Sequence, residues 1–262
     1  MLELCTLASG SSGNCLLVSS GDTHILVDAG ISCRRITTAL KAMGLDPKAL
    51  SAVLVTHEHS DHIAGLATMT KQLAVPVYAS RGTGMQLCYR IPFLEEVLHT
   101  FTPGERFSLG GVDVESFATP HDAAQSTGYA LSAGGKKAAV VTDLGHVTDE
   151  VAEGIRGAAL LVAEANHDVE WLQSGPYPYS LKSRILGDRG HLSNEAGAQL
   201  VCRAVEGGAR TVVLAHLSRE NNTPQRAYDV VRSALEHRGV RVGLDVRLEV
   251  APRDQTGERY RI

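Results

Sequence analysis

One short segment combines four side chains that commonly bind metal ions. It follows the apolar run 52–56 directly and has the pattern H-x-H-x-D-H, reading His57-Glu58-His59-Ser60-Asp61-His62. Imidazole nitrogens together with a carboxylate oxygen suit divalent cations such as Zn²⁺ or Mn²⁺. The alternative is an ordinary helix start, in which Ser60 or Asp61 caps the helix and the histidines are solvated. Three histidines and an aspartate at this spacing favour a metal site.

Three further candidate ligands stand where predicted strands end. His121, Asp143 and His216 each follow an apolar strand pattern within a few residues. Any one of them alone is equally consistent with a residue that forms a turn. Together they repeat one arrangement, in which a buried strand delivers a ligand at its C-terminal end, as α/β folds commonly position site residues.

The H-x-H-x-D-H loop, followed in order by these three residues, resembles the metallo-β-lactamase fold superfamily over essentially the whole chain. The resemblance implies an α/β fold, a four-layer αββα sandwich, with residues 1–262 forming a single hydrolase domain. It implies two divalent metal ions, Mn²⁺ or Zn²⁺. The ligands it implies are His57, His59 and His121 for the first ion, Asp61, His62 and His216 for the second, and Asp143 for both. Two ions about 3.5–4 Å apart can lower the pKa of a shared water and stabilise both the attacking and the leaving oxygen.

The fold alone does not choose among the lactams, thioesters, lactones and phosphodiesters that the superfamily hydrolyses. An acidic residue, Glu164, directly after the predicted strand 160–163 and a histidine, His191, just before a predicted helix look like the phosphodiesterase branch, which includes ribonuclease Z and the β-CASP nucleases. That likeness implies a catalytic group of Asp61, Glu164 and His191. In it, Glu164 orients His191, which stabilises the phosphate and protonates the leaving oxygen. The alternative is structural: Glu164 only ends a strand, and His191 lies beside a helix capped by Ser193.

The spacing of the motifs reduces the number of families within the phosphodiesterase branch that the chain could resemble. Only 73 positions separate Asp143 from His216 (216 − 143), too few for the extra domain of the β-CASP nucleases. Segments 8–14, 164–168, 190–194 and 216–222 are similar to the YycJ (WalJ) family. That similarity implies a 5′-to-3′ exonuclease acting on double-stranded DNA, with a role in mismatch repair. Three alternatives stay open: a glyoxalase II-like thioesterase or lactonase, an RNA-processing nuclease, and a non-catalytic metal-binding or nucleic-acid-binding protein.

Five residues are candidates for substrate binding: Asn14, His167, Lys182, Arg184 and Arg189. Asn14 lies in a Gly/Ser-rich loop, which either lines the site or is simply a hairpin turn. The three basic residues precede His191, so we expect phosphate contacts, although such a run is usually a solvated face. His167 either contacts metal or phosphate or is an ordinary loop residue. Tyr177 and Tyr179 are candidate stacking platforms.

The composition is that of a folded globular protein. Of 262 residues, 44% are hydrophobic and 21% charged, and the net charge of −4 excludes a protein that coats nucleic acid non-specifically. Five scattered cysteines, an odd number without a C-x-x-C pair, predict a reducing, cytoplasmic location rather than a disulfide framework. The sequence has neither a signal-peptide pattern at its start nor an apolar run of about 18 residues, so we expect no membrane association.

Hydrophobic periodicity predicts the elements that position these residues. Strands are predicted over 2–7, 16–18, 25–27, 52–56, 76–79, 112–118, 128–132, 138–142, 160–163, 211–214 and 244–250. Helices are predicted over 32–43, 63–73, 83–89, 149–156, 194–205 and 224–238. Residues 167–190 are predicted to form the only long irregular stretch.

Overall fold

Two seven-stranded sheets pack face to face in the computed structural model, which describes residues 1–262. The first sheet has the spatial order β14 (Arg259–Arg261), β1 (Glu3–Ala8), β2 (Cys15–Ser20), β3 (Thr23–Val27), β4 (Ala52–Leu54), β5 (Val77–Ser80), β6 (Leu98–Phe101). The second has the order β13 (Arg247–Val250), β12 (Thr211–Ala215), β11 (Leu160–Glu164), β10 (Lys136–Val141), β9 (Thr127–Ala133), β8 (Val112–Ala118), β7 (Arg106–Leu109). Strands β3 to β6 and strands β10 to β13 run parallel, and the other pairs are antiparallel.

Helices cover the outer faces of both sheets, which confirms the predicted four-layer α/β sandwich. They are α1 (Cys33–Ala42), α2 (Ser60–Ile63), α3 (Leu66–Leu73), α4 (Arg81–Arg90), α5 (Asp149–Gly154), α6 (Val169–Ser174), α7 (Tyr179–Leu186), α8 (Asn194–Glu206) and α9 (Pro224–His237). Two short 3₁₀ helices lie at Pro47–Ala49 and Pro92–Glu96. None of the helices is both long and apolar enough to cross a bilayer.

Three apolar layers hold the sandwich together. One lies between the sheets, a second lies under the helices of the first sheet, and a third lies under α5, α8 and α9. Along β3, Ile25 and Val27 face the other sheet, whereas Leu26 faces the helices. Because both faces of the parallel strands are buried, they read in the sequence as continuous apolar runs.

Capping residues in the sequence correctly predicted where several helices begin. The side chain of Ser32 accepts a hydrogen bond from the Arg35 amide and caps α1, which buries Ile36 and Leu40 one turn apart. Ser193 caps α8 in the same way, through the Ala196 amide. A polar cap followed by apolar residues at helical spacing is a signal that the sequence carries locally.

The single helix predicted over 63–73 is wrong, because the chain forms two helices separated at Gly65. The Gly65 amide donates to the Ala29 carbonyl at 2.8 Å. A Cβ at this position would lie only 2.2 Å from the Ile31 carbonyl oxygen. The helix is therefore interrupted where its backbone packs directly against the turn that follows β3.

The prediction that 167–190 is irregular is also wrong, because this stretch contains α6 and α7. Asp168 caps α6 by accepting a hydrogen bond from the Trp171 amide at 2.9 Å. No residue of α7 is fully buried, so the helix leaves little apolar periodicity in the sequence. Strands β6, β7 and β14 were not predicted either. All three lie at sheet edges, where the alternation of buried and exposed residues is short and weak.

Hydrogen bonds join the two sheets at the edge where the histidine-rich loop begins. The Tyr129 hydroxyl on β9 is completely buried and donates to the Val55 carbonyl at 2.6 Å. The Thr127 amide, also on β9, donates to the Thr56 carbonyl at 3.0 Å. Val55 and Thr56 connect β4 to His57, so the second sheet holds the start of the candidate metal-binding loop.

Tyr129→Phe should lower the free energy of unfolding by about 1–2 kcal/mol, because it leaves the buried Val55 carbonyl without its hydroxyl donor. Urea denaturation measures this change. Tyr78→Phe is the matched control, since Tyr78 is half-buried, stacks on His99, and makes no hydrogen bond through its hydroxyl. Equal stability changes in the two variants would show that the Tyr129 bond does not fasten the sheets.

Candidate metal centre

The histidine-rich motif leaves its side chains free of helix capping. Helix α2 begins at Ser60, its cap residue is His59, and no side chain makes a capping hydrogen bond there. Neither Ser60 nor Asp61 acts as the helix cap that the structural alternative required. The imidazoles and the carboxylate of the motif are therefore available to one another.

Three polar residues at the ends of strands adopt left-handed backbone conformations. Asp28 follows β3, Asp143 lies two residues after β10, and His216 follows β12, with φ values of 62°, 60° and 57°. Non-glycine residues at such φ values are uncommon, and the strain concentrates at functional sites. Here the sharp change of direction lets the side chain turn away from the strand at the shared edge of the sheets.

All seven predicted ligands come together at this edge. Their candidate ligand atoms form overlapping groups within which all distances are at most 4.8 Å, namely His57–His59–His121, His57–His62–Asp143, Asp61–His62–His216 and Asp143–Glu164–His191–His216. Asp143 connects the groups. One of its carboxylate oxygens lies 3.3 Å from Nε2 of His62, and the other lies 3.4 Å from Nε2 of His216. Groups of histidine and aspartate at this spacing suit divalent metal ions.

Two buried atoms in these groups have no hydrogen-bond partner within the protein. They are Nε2 of His57 and Oδ2 of Asp143. Leaving a buried polar atom unsatisfied costs about 1–3 kcal/mol, more for a charged group. A cation bound between these atoms would satisfy both, so the residues present fit divalent metal ions.

Hydrogen bonds to the other ring nitrogen orient two of the histidines. Nδ1 of His62 donates to Asp28 Oδ2 at 2.7 Å, and Nδ1 of His121 donates to the Gly190 carbonyl at 3.0 Å. The Thr56 amide donates to the other Asp28 oxygen at 2.8 Å and fixes that carboxylate. In both rings Nε2 is left facing the metal groups, which is the usual arrangement for histidines that bind metals.

Glu164 is completely buried and fully hydrogen-bonded. Its Oε1 accepts from Nδ1 of His191 at 2.8 Å and from Nδ1 of His216 at 2.9 Å. Its Oε2 accepts from the backbone amides of Leu144 and Leu192, at 3.3 and 3.0 Å. The sequence analysis predicted His191 as the only partner of Glu164. Its second partner, His216, lies 52 positions away and could not be inferred from any local pattern.

Pairing dominates burial in setting the protonation of this carboxylate and its histidines. Burial alone would raise the pKa of Glu164, but the charges and hydrogen bonds of His191 and His216 bring that pKa well below its usual value. Burial opposes the charged form of His191, yet Glu164 raises its pKa above the ordinary histidine value. Glu164 is therefore ionised at neutral pH, and its charge favours the protonated form of the His191 imidazole. At His57, burial and the neighbouring histidines lower the pKa, which favours the neutral, metal-binding form.

Asn14 and His167 lie apart from the open cleft. The Asn14 amide nitrogen lies 3.2 Å from Nε2 of His62 and 3.4 Å from Asp61 Oδ2, so this residue supports the ligands from behind. His167 is buried beside Asn166 and outside the metal groups, and burial lowers its pKa to about 4. Neither side chain lines the cleft in front of the metal groups.

The three basic residues predicted to act together are separated. Arg184 lines the cleft, which has a volume of about 220 Å³, and forms an ion pair with Asp122. Lys182 instead donates to the Gln173 carbonyl at 2.7 Å, outside the cleft. Arg189 donates to the His121 carbonyl at 2.8 Å and braces the loop that carries this ligand. Lys182 and Arg184 are two positions apart on α7, and side chains at this spacing point in different directions. Basic residues that are close in the sequence therefore do not form one continuous basic surface here.

Two acidic residues beside the ligands were missed by sequence reasoning. Asp122 follows His121 and pairs with Arg184. Glu58 is buried within the H-x-H-x-D-H motif and accepts a hydrogen bond from the Ala124 amide at 2.8 Å. Glu58 thereby ties the first ligand loop to the loop of His121. Their adjacency to ligands in the chain is the only signal that could have found them.

Gly30→Ala should displace the short helix α2, which carries Asp61, because a Cβ there would lie 1.6 Å from the Asp61 carbonyl oxygen. We expect a loss of bound metal and a loss of stability at the upper end of the roughly 1–3 kcal/mol range for overpacking. Elemental analysis and thermal unfolding measure the two effects. Gly111→Ala is the control, since its nearest neighbouring atom would be 3.9 Å away. Normal metal content in Gly30→Ala would contradict the importance of this close approach.

Comparison with known proteins identifies relatives of this chain in sequence and in fold. A family model described as beta-lactamase superfamily domain matches residues 23–217. The chain is 40% identical over 245 residues to exodeoxyribonuclease YycJ of Bacillus anthracis, a match that covers 92% of each chain. It is 38% identical over 246 residues to exodeoxyribonuclease WalJ of Streptococcus pneumoniae, covering 92% of this chain and 91% of that one. The metallo-beta-lactamase fold protein YhfI from Bacillus subtilis superposes with a TM-score of 0.71 at 16% identity, over 98% of this chain and 100% of that one, which supports the fold.

Proposed function

Because the chain belongs to the beta-lactamase superfamily, and within it to the family of the exodeoxyribonucleases YycJ and WalJ, we propose that it is a metal-dependent exodeoxyribonuclease. Its proposed substrate is double-stranded DNA, degraded from the 5′ end, and its proposed role is in mismatch repair. Five unpaired cysteines are consistent with a reducing cytoplasm as the place of action. The observation that carries the proposal is the Glu164–His191 pair, which lies beside the metal groups and of which His191 lines the cleft.

The proposed centre contains two divalent ions, Mn²⁺ or Zn²⁺. His57, His59 and His121 would hold one, Asp61, His62 and His216 the other, and Asp143 both. The support is that Asp143 lies between the two histidine groups. When bound, two such ions lower the pKa of a water and offset the charge that develops on the phosphate.

His191 is the proposed general acid. Its side chain is 19% exposed and lines the cleft, and Glu164 holds its Nδ1 at 2.8 Å. As the oxygen of a hydroxide, formed when the water loses its proton, bonds to phosphorus, the bond from phosphorus to the leaving oxygen breaks, and the His191 proton passes to that leaving oxygen. Glu164 keeps the imidazole in one tautomer and supports its positive charge before transfer.

His191→Ala should keep the wild-type metal content, close to two ions per chain, and lower DNA cleavage by roughly 10²–10⁴-fold, the usual scale of a lost general acid. Glu164→Gln should lower both rate and metal content, since it loosens His216 as well as His191. A substrate with an activated leaving group, such as bis-p-nitrophenyl phosphate, needs little protonation and should recover much of the His191→Ala rate. Loss of metal in proportion to activity in His191→Ala would make this residue a ligand and disprove the proton-donor role.

The choice of substrate is tested with purified protein and Mn²⁺. We expect mononucleotides to be released from 5′-labelled duplex DNA before 3′-labelled DNA, with slower action on single strands and RNA. Preferred cleavage of RNA would replace the proposal with an RNA-processing nuclease. Turnover of a thioester or lactone, with no release of nucleotides, would replace it with a small-molecule hydrolase.

A further inference from the structure

The wall of the cleft that faces the metal groups is formed by α7 and the residues before it. Tyr177, Leu181, Arg184 and Ile185 all line this wall. Leu181, Arg184 and Ile185 have the spacing i, i+3, i+4, so they share one face of α7. The helix has no fully buried residue, and Leu181 and Ile185 are half-buried where this face borders the cleft. The wall is therefore an apolar strip interrupted by one guanidinium group.

Arg184 is held in place by one carboxylate and keeps donors free. Its Nε donates to Asp122, while its two terminal nitrogens make no hydrogen bond within the protein. The other Asp122 oxygen lies 3.3 Å from Nε2 of His121. The ion pair therefore fixes the guanidinium beside the metal groups with N–H donors that can bind phosphate oxygens.

The size of the cleft limits what can enter it. Its volume of about 220 Å³ is below the roughly 300–1,000 Å³ of common ligand pockets, so the space in front of the metal groups suits a small group. An apolar strip ending in an aromatic ring suits one flat base, and a fixed guanidinium beside a metal centre suits one phosphate. Enzymes that cannot reach their target within a duplex take the nucleotide out of the stack.

Resting on the proposed nuclease function, we propose that this wall is a subsite for a single unpaired nucleotide at the 5′ end of a DNA strand. Tyr177 stacks on its base, Leu181 and Ile185 support the base and sugar, and Arg184 binds the phosphate. Asp122 is a positioning residue for Arg184. Stacking on an aromatic ring tolerates all four bases, so the duplex end is opened one nucleotide at a time without regard to sequence.

The stacking role is tested on two duplexes in single-turnover reactions, one with a paired 5′-terminal base and one with a mismatched, already unpaired base. Tyr177→Ala should slow release from the paired end on the order of 10-fold, because stacking no longer offsets unpairing, and slow release less from the mismatched end. Tyr177→Phe keeps the ring and should act as wild type. The matched control is Tyr179→Ala, since Tyr179 is 85% exposed and does not line the cleft.

The phosphate role is tested by separating KM from kcat. Arg184→Ala should raise KM for both duplexes by roughly 10-fold with a smaller change in kcat, as expected for a lost charge-assisted contact to the substrate. Asp122→Asn should raise KM in the same direction by less, with unchanged metal content. Lys182→Ala, on the same helix but bonded to Gln173 outside the cleft, should match wild type.

The outcomes separate this subsite from the proposed function. If wild-type protein releases no nucleotide from any DNA, the nuclease function itself is wrong. If wild type is active but Tyr177→Ala and Tyr179→Ala behave alike on both duplexes, the nuclease stands and the subsite is wrong. Tyr177→Ala should keep the wild-type metal content, measured by elemental analysis. A loss of metal in proportion to activity would show that Tyr177 supports the metal centre instead, and would also overturn the subsite.

Discussion

The site depends on a buried carboxylate that must be fully compensated. Glu164 has no exposed surface, and an ionised group in that position is costly unless every lone pair has a donor. Two backbone amides and two imidazoles supply the donors. Meeting this requirement brings together the ends of β10, β11 and β12 and the turn before α8. The same four bonds that stabilise the charge thus position His191 and His216 in relation to each other.

The strained residues around this carboxylate are held by the sheets. Asp28, Asp143 and His216 each adopt a left-handed conformation that an isolated chain would rarely populate. They keep it because each follows a strand buried between two apolar layers, and because Asp28 and His216 are hydrogen-bonded to other elements. The rigid interior therefore holds the carboxylates and imidazoles at these strand ends in an arrangement that solvent-exposed loops could not maintain.

Helix α7 stands in contrast to this rigid edge. It has no fully buried residue, and its polar contacts to the rest of the protein include the Arg184–Asp122 pair and the Lys182 bond to the Gln173 carbonyl. The metal-facing side of the cleft is thus fixed by the core, whereas the opposite wall is fixed by surface interactions. Substitutions on that wall can alter substrate binding with little effect on the fold, so the two sides of the cleft can be tested separately.

The sequence by itself determined what depends on near neighbours in the chain. The H-x-H-x-D-H motif, the buried parallel strands and the capped helices α1 and α8 were all predictable, because spacing, apolar runs and caps act over a few residues.

The tertiary structure decided what depends on distant partners. Glu164 reaches His216 across 52 positions, and Asp122 reaches Arg184 across 62. Edge strands such as β14 form only because a partner strand is already in place. Helix α7 has no fully buried residue, and the Arg184–Asp122 ion pair joins it to the loop that carries His121. Long-range hydrogen bonds leave no periodic trace in a sequence, since their strength is set by burial and by geometry that exist only once the chain has folded.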